Sequence, residues 1–394
     1  MSKLIYLEGI RGLAALWVFF NHYGKHLFPV FYNTYLIFDR DVALSVAVFF
    51  VLSGRVLTMS ATKKKNFKSI VGSLIRRPFR LTLPLIGITF IDYWFRSYYK
   101  PRITPHVPIW KLIMIPANFV VNRSDVFNTP GVPITGNAWT LSIEFYGSLV
   151  CYMIGLILVL FNNNSKPRWI VLLASLSYNF FFGSWNDHFI AGMVLAELSN
   201  AGILQKLAKI KLFLLFNIVS GLLIFYAFSV TPYSDYALPI RNYFTSFQMK
   251  QNGQLGRQHE MIFYRESPTD LMAAFLMLFM FETTPILQRF LSLPPFIFLG
   301  RVSFMMYLMN DIFIHYLSHY AEYYIGKQTN SEIFLVTVVN LCFLFVISEI
   351  LTIVIDTPSV DFSRWIEKVV LSDWTLKDLI GGIAQICYYN FCSV

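Results

Sequence analysis

The feature that most constrains this chain is a succession of apolar runs, most of them close to the roughly 20 residues that a helix needs to cross a bilayer. In hydrocarbon every backbone N–H and C=O group must find its partner within the protein, which favours α-helices for such runs. We place ten of them, at about residues 4–24, 41–60, 80–98, 139–161, 168–183, 187–200, 211–229, 269–284, 296–317 and 333–356. The pattern predicts an all-α, polytopic transmembrane helical bundle of about ten helices, in which the fifth and sixth are short.

The composition supports a membrane protein. Only 14% of the 394 residues are charged, whereas a soluble domain carries about 25%. The formal net charge of +10 would suggest a nucleic-acid partner for a soluble protein. In a membrane protein the same excess is explained by basic residues that lie near anionic lipid headgroups. We therefore expect membrane lipids as partners and no nucleic acid.

The positions of the basic residues indicate the orientation. Seven of them precede or begin the third run, namely Lys63, Lys64, Lys65, Lys68, Arg76, Arg77 and Arg80. The positive-inside rule places this segment in the cytoplasm. Later segments alternate consistently, so we predict cytoplasmic N- and C-termini in a multi-pass protein of the plasma or inner membrane, or of an endomembrane. Residues 1–356 would form one transmembrane domain, and 357–394 a cytoplasmic tail with a short interfacial helix.

Ionisable side chains inside the first run indicate a functional site, because such residues are costly in a membrane. Arg11 and His22 are eleven positions apart, which places them on one helix face and about 16 Å apart along the axis. Glu8 lies on the same stripe and Asn21 precedes the histidine. Imidazole is well suited to proton transfer near neutral pH. The alternative is a structural histidine with a satisfied ring.

Arg76, Arg77 and Arg80 form the second candidate. Spacings of three and four residues place guanidinium groups on one side of a helix, and their forked donors suit phosphate oxygens. The sequence leaves two interpretations open, which are binding of a phosphorylated cytosolic cosubstrate and binding of lipid headgroups.

The third candidate is WTLSIEFYG, residues 139–147. Trp139 is typical of an interfacial anchor, and Glu144 lies far enough inside the helix to need a partner or a proton. Arg55 and Arg301 are further basic residues within apolar runs. A purely structural ion pair between Glu144 and an arginine is the alternative to a functional role.

No metal site is expected. Two pairs of histidines have the spacing of a helical metal site, His22 with His26 and His315 with His319. Neither pair has a third ligand or an acidic cluster near it in the sequence. The four cysteines are scattered without a CxxC spacing, so neither a structural zinc site nor a disulfide framework is predicted.

In order along the chain, these segments resemble the integral-membrane acyltransferase type 3 family. LEGIRGLAALWVFFNH is similar to the family's opening helix, with an arginine, ten residues and a histidine. FFVLSGRVL is similar to its FFxLSGF segment, and RRPFRLTLP contains its Arg-x-x-Arg element as Arg77 and Arg80. WTLSIEFYG, FIAGMVLAEL and FLGRVSFMMYLMN resemble three later segments. Six weak strings in the same order make the resemblance specific.

The resemblance implies transfer of an acyl group, usually acetyl, to cell-surface sugars, lipids or secondary metabolites. His22 would be the general base or a transient acyl carrier, and Arg11 would orient it. The phosphates of acyl-coenzyme A, most simply acetyl-coenzyme A, would be bound by Arg77 and Arg80, with Arg76 beside them. The remaining implied residues are Glu144, Trp139, Glu8 and Asn21 around the acceptor, and Ser53 and Gly54 at a close helix approach near the donor.

Three positions depart from the family pattern. Arg55 stands where an apolar aromatic residue is usual, and Phe145 replaces the second acidic residue after Trp139. Asn310 stands where a histidine often closes the last segment, so this position cannot carry a proton. These departures concern the acceptor and the detailed mechanism more than the reaction class.

The sequence therefore predicts an O-acyltransferase that moves an acyl group from acyl-coenzyme A to a hydroxyl of a carbohydrate, glycolipid or related acceptor. The alternative is a transporter or flippase for a lipid or an acyl carrier, because buried charges also mark permeation paths. A binding or regulatory membrane protein without enzymatic activity is the third possibility.

Overall fold

The computed structural model describes residues 4–27, 42–64, 67–99, 106–122, 136–161, 165–182, 184–225, 268–326 and 329–372. These residues form helices joined by short turns, and no strand occurs among them. The α-helices are α1 (Ile5–Leu27), α2 (Val42–Lys64), α3 (Phe67–Tyr99), α4 (Ile109–Asn122), α5 (Trp139–Leu160), α6 (Ser165–Phe182), α7 (Asn186–Asn200), α8 (Ile203–Leu207), α9 (Lys211–Phe225), α10 (Pro268–Thr283), α11 (Pro285–Leu291), α12 (Pro294–Ile312), α13 (Ser318–Ile325), α14 (Asn330–Leu351) and α15 (Thr357–Ser372). Two π-helical turns, Phe313–Leu317 and Thr352–Asp356, join α12 to α13 and α14 to α15.

The predicted all-α class is confirmed, and each of the ten apolar runs coincides with a helix. Helix α3 begins thirteen residues earlier than predicted, because the basic stretch through Pro78 continues the helix instead of preceding it. Helix α4 lies between the third and fourth apolar runs, where no helix was predicted. Most of the stretch between the seventh and eighth runs lies outside the described residues.

Three described helical stretches are long and apolar enough to cross a membrane, at 136–160, 294–325 and 330–372. A fourth is the pair α10 and α11, which is bent by 96°. Shorter apolar helices include parts of α2, α4 and α9. These helices support a membrane protein. The number of ten spans and the cytoplasmic position of both termini stay predictions, as does the division into two regions at residue 356.

Helices α1 and α12 are parallel neighbours that pack at backbone distance. A Cβ atom at Gly12 would lie 2.6 Å from the amide nitrogen of Gly300, and one at Gly300 would lie 2.2 Å from the carbonyl oxygen of Glu8. Small residues permit such close approach of helices in membranes, where van der Waals packing replaces the hydrophobic driving force. The glycines therefore fix the register of α1 on α12.

Helix α2 is the central helix of the other half of the bundle and packs against α1, α5, α7 and α10. Its closest approach is to α7, where a Cβ atom at Gly54 would lie 1.9 Å from the carbonyl oxygen of Phe189. On the opposite helix, a Cβ atom at Gly192 would lie 2.0 Å from the carbonyl oxygen of Val51. The predicted close approach at Gly54 is present, and its partner is α7.

Two buried ion pairs join neighbouring helices away from this contact. Arg55 donates to Glu282 of α10 at 2.7 and 3.2 Å, and Arg168 donates to Glu197 of α7 at 2.7 and 2.6 Å. A buried charge is tolerated when a bidentate partner satisfies it. Arg55, which departs from the family pattern, thus has a structural partner, and Arg301 pairs with Glu349 at 2.8 Å.

We expect Gly54→Ala to destabilise the protein, because the added methyl group meets backbone atoms that cannot move independently of α7. Overpacking of this kind costs about 1–3 kcal/mol. The measurement is the thermal unfolding midpoint of the detergent-solubilised protein. Gly221→Ala is the matched control, since its nearest neighbour is the flexible end of Met280, with the sulfur at 2.8 Å. Equal midpoints for the two variants would contradict the close packing of α2 and α7.

Candidate active site

A cavity of about 490 Å³ lies between α1, α2, α3, α5, α12 and α15. Its volume is in the range of small-molecule binding sites. Five arginines and two glutamates line it, namely Arg11, Arg76, Arg77, Arg80, Arg364, Glu8 and Glu144. The excess of positive charge makes the cavity suitable for an anionic ligand.

Arg77 and Glu144 form the central ion pair of this cavity. The Nη2 atom of Arg77 donates to Oε1 of Glu144 at 2.6 Å, which joins α3 to α5. The side chain of Arg77 is 10% exposed and that of Glu144 is 23% exposed. The Nε atom of Arg77 is buried and has no hydrogen-bond partner among the described residues. The pair with Glu144 therefore leaves the Nε–H donor of the guanidinium unused.

Arg76 and Arg80 differ in how they are held. Arg76 forms an ion pair with Glu367 at 3.0 Å and donates to Ser73 at 3.0 Å. Arg80 also lines the cavity, but no hydrogen bond or ion pair engages it in the described part of the chain. An arginine without a carboxylate partner in a partly buried position is suited to bind an anion such as a phosphate.

Arg11 is fixed against α12. Its Nε atom donates to the hydroxyl of Ser303 at 2.9 Å, and its Nη2 atom donates to the carbonyl oxygen of Gly300 at 2.8 Å. Glu8, one turn earlier, lies 3.4 Å from the same guanidinium. These contacts follow from the register of α1 on α12. Both residues line the cavity, as does Ser53 of α2.

His22 lies outside the cavity, near the other end of α1. Its Nδ1 atom is 3.0 Å from the carbonyl oxygen of Val18 and 3.4 Å from the amide nitrogen of Asn310. Nδ1 cannot donate to Val18 and accept from Asn310 at once. A carbonyl oxygen can only accept, so the shorter contact with Val18 calls for the proton on Nδ1, and the Asn310 amide nitrogen is then a neighbour of the ring and not its hydrogen-bond donor. The neutral ring then carries its lone pair on Nε2, which is the form that a general base needs.

Tyr307, one turn before Asn310 on α12, lines the cavity. The hydroxyl of Tyr307 accepts from Thr140 at 2.9 Å and donates to the carbonyl oxygen of Asn137 at 3.2 Å. The amide of Asn137 in turn donates to the carbonyl oxygen of Tyr307 at 3.2 Å. This network joins α12 to the beginning of α5 and holds the ring in place.

The structure thus brings seven of the eleven candidate residues to one cavity, which are Glu8, Arg11, Ser53, Arg76, Arg77, Arg80 and Glu144. The other four do not line it. His22 lies near Asn310, and Asn21 is fully buried beside it on α1. Trp139 begins α5 and packs near Trp185, and Gly54 contacts α7.

Several cavity or site residues were not among the candidates from the sequence. Asn310 contacts the ring of His22, and Ser303, seven residues earlier, holds Arg11. Both stand in the quoted segment FLGRVSFMMYLMN, and their spacing of two helical turns was a usable signal. Ser363 and Arg364 line the cavity from α15, and no motif in the sequence pointed to them.

The side chains that could hold a metal ion are spread out in the described part of the chain. No group of three His, Cys, Asp or Glu side chains is close enough for an ion within the described ranges. His319 lies 3.5 Å from Glu322, and the side chain of His26 lies outside the described residues. The expectation of no metal stays a prediction.

Comparison with known proteins gives the family. Residues 4–355 match the model of a family described as an acyltransferase domain. An O-acetyl transferase of Shigella phage Sf6 is 26% identical over 183 residues, which are 45% of this chain and 52% of that protein. The chain thus spans about half the length of this curated relative. No solved structure matches the chain. Because the family model covers nearly all of the described helices, the chain belongs to this family of acyltransferases.

Proposed function

We propose that this acyltransferase moves an acyl group, most simply acetyl, from acyl-coenzyme A to a hydroxyl of a carbohydrate, glycolipid or related acceptor at a membrane. The observation that carries the proposal is the set of arginines on one cavity, of which Arg80 has no direct ion pair among the described residues. Coenzyme A combines a phosphorylated nucleotide with a long uncharged arm. The similarity to an O-acetyl transferase of a phage supports an oxygen acceptor.

The lining of the cavity suits such a donor. The three arginines of α3 lie together on one side, where phosphates would bind. Toward Tyr307 the lining becomes apolar, with Phe49 packed 5.9 Å from the Tyr307 ring and Leu141 beside Thr140. An uncharged arm that runs along this side would bring the thioester toward His22. In the proposed orientation the arginines face the cytoplasm and His22 the opposite side.

His22 is proposed either as general base or as transient acyl carrier. As a base, Nε2 takes the proton of the acceptor hydroxyl while its oxygen attacks the thioester carbonyl. The C–S bond breaks, the sulfur leaves as a thiolate, and the thiolate takes up the proton. As a carrier, Nε2 itself attacks the carbonyl, the C–S bond breaks and the coenzyme A thiolate leaves. The acceptor oxygen then attacks the acyl group, the bond from the carbonyl carbon to Nε2 breaks, and the hydroxyl proton passes to the thiolate. In both cases the thioester must leave the cavity, because His22 does not line it.

The other candidates have positioning roles in this proposal. Arg11 and Glu8 hold α1 against α12, so that His22 keeps its contact with Asn310. Glu144 orients the Arg77 guanidinium and faces the cavity, where it is also placed to contact the acceptor. Asn21 and Trp139, which lie at the His22 end of α1 and at the start of α5, are proposed to shape the acceptor site.

We expect His22→Ala to lower the rate of acyl transfer by at least about 100-fold, since general bases contribute about 10²–10⁴-fold. The assay is release of free thiol from acetyl-coenzyme A by purified protein. His319→Ala is the control, because that side chain is 62% exposed on α13. Normal transfer by a folded His22→Ala protein would contradict both roles. If the wild-type protein transports the donor and consumes no thioester, the alternative function as a transporter or flippase is favoured.

Arg80→Gln is expected to raise the KM for acetyl-coenzyme A about tenfold or more, because a charge-assisted hydrogen bond to phosphate is lost. Its stability should change little, since the substitution breaks no direct ion pair among the described residues, although it removes a positive charge near Asp356. Arg289→Gln, the same change at an exposed position on α11, is the control. A KM equal to that of the control would show that Arg80 does not contact the donor.

Arg77→Gln tests whether the Arg77–Glu144 pair is structural only. The single variant leaves a partly buried carboxylate without its partner and should lose up to about 3 kcal/mol of stability. The double variant Arg77→Gln, Glu144→Gln removes both charges and should recover most of the unfolding temperature. We expect the double variant to stay inactive. Full transfer activity in it would mean that the pair serves the fold alone.

A further inference from the structure

Helix α15 lies beyond the part of the chain that matches the family, which ends at residue 355. It nevertheless forms one wall of the cavity, through Val360, Ser363 and Arg364. These residues and Glu367 follow the spacing i, i+3, i+4 and i+7, so they share one face of the helix. This face is turned toward the arginines of α3. The opposite side carries exposed apolar side chains, among them Trp365 and Val369.

Specific contacts hold α15 on α3. Glu367 pairs with Arg76 at 3.0 Å and packs so closely on the α3 backbone that a Cβ atom at Gly72 would lie 2.0 Å from its Oε1 atom. The rings of Phe79 and Phe362 meet edge to face at 5.8 Å. An ion pair, a close backbone contact and a ring contact together define the position of the helix.

Arg364 is the cationic residue that this helix presents to the cavity. Its guanidinium lies 3.2 Å from Asp361 on its own helix, but both side chains are about 60% exposed, at 59% and 66%. A solvent-exposed pair of this kind contributes little free energy. The guanidinium can therefore exchange this carboxylate for a phosphate at small cost. Ser363 is already engaged, because its hydroxyl donates to the carbonyl oxygen of Val360 at 2.7 Å.

We propose that Arg364 binds a phosphate of acyl-coenzyme A from the α15 side of the cavity, and that the Arg76–Glu367 pair holds α15 in place for this contact. The inference rests on the proposed donor. It assigns part of the donor site to a helix outside the family match. Arg364 would bind in addition to Arg77 and Arg80, so that the phosphorylated end of the donor is held between two helices.

The test compares Arg364→Gln with Lys368→Gln in the purified full-length protein. Both remove one positive charge from α15, but Lys368 does not line the cavity. We expect Arg364→Gln to raise the KM for acetyl-coenzyme A and the dissociation constant of coenzyme A about tenfold, with kcat within twofold of wild type. Lys368→Gln should leave all three values unchanged. Equal effects of the two variants, or none, would overturn the assignment.

A second substrate separates phosphate binding from a general effect on the enzyme. S-acetylpantetheine keeps the thioester and the arm but lacks the nucleotide and its phosphates, so its KM should not respond to Arg364→Gln. A rise as large as that for acetyl-coenzyme A would mean that the variant distorts the site. Glu367→Gln, which frees α15 from Arg76, should raise the KM for acetyl-coenzyme A and likewise spare S-acetylpantetheine.

A phosphate of an anionic lipid is the other source of the same chemistry. Repeating the binding measurement in nanodiscs of phosphatidylcholine, with and without phosphatidylglycerol, distinguishes the two. If Arg364→Gln weakens coenzyme A binding in both membranes, the result supports binding of the donor phosphate by Arg364. If it does so only with phosphatidylglycerol, the result supports binding of the lipid phosphate. If the wild-type protein binds coenzyme A but consumes no thioester, the result contradicts the proposed acyl transfer and leaves the assignment of Arg364 intact. Absence of coenzyme A binding by the wild type would contradict both proposals.

Discussion

The arrangement of the site depends on the close contact of α1 with α12. Because glycines at positions 12 and 300 let the two backbones touch, Arg11 reaches Ser303 and His22 reaches Asn310. A larger side chain at either glycine would separate the helices and break both polar contacts. Arg11 and His22 therefore both have polar neighbours on one helix, and this contact explains how a helix with an arginine and a histidine fits into an apolar bundle.

The cavity illustrates how charge is distributed in such a protein. Arginines that serve the fold are paired with carboxylates in bidentate contacts, as Arg55 is with Glu282 and Arg168 with Glu197. The arginines of the cavity are held less completely. Arg77 contacts a single carboxylate oxygen of Glu144, and Arg80 has no direct hydrogen bond or ion pair in the described residues. The arginines of the two structural pairs thus contact both oxygens of their carboxylates, and Arg77 and Arg80 do not.

The sequence predicted the helices well because apolar runs and helical periodicity are local properties. It also predicted that Arg11 and His22 share a face, since helix geometry alone determines this. The partners were not predictable in the same way. That Glu144 pairs with Arg77 and Arg55 with Glu282 depends on which helices are neighbours, and positions 55 and 282 are 227 residues apart. The contribution of α15 depends on the chain turning back through the π-helical turn at Thr352–Asp356, for which the sequence offers no simple pattern.

The position of His22 outside the cavity has a consequence for side reactions. A thioester bound beside an activated base is exposed to hydrolysis whenever water reaches both groups. In this structure the arginines line the cavity and the imidazole lies outside it. A donor whose phosphates bind at the arginines would be kept apart from the base until its thioester end leaves the cavity. Such a separation would protect the thioester between turnovers and make its cleavage conditional on that movement.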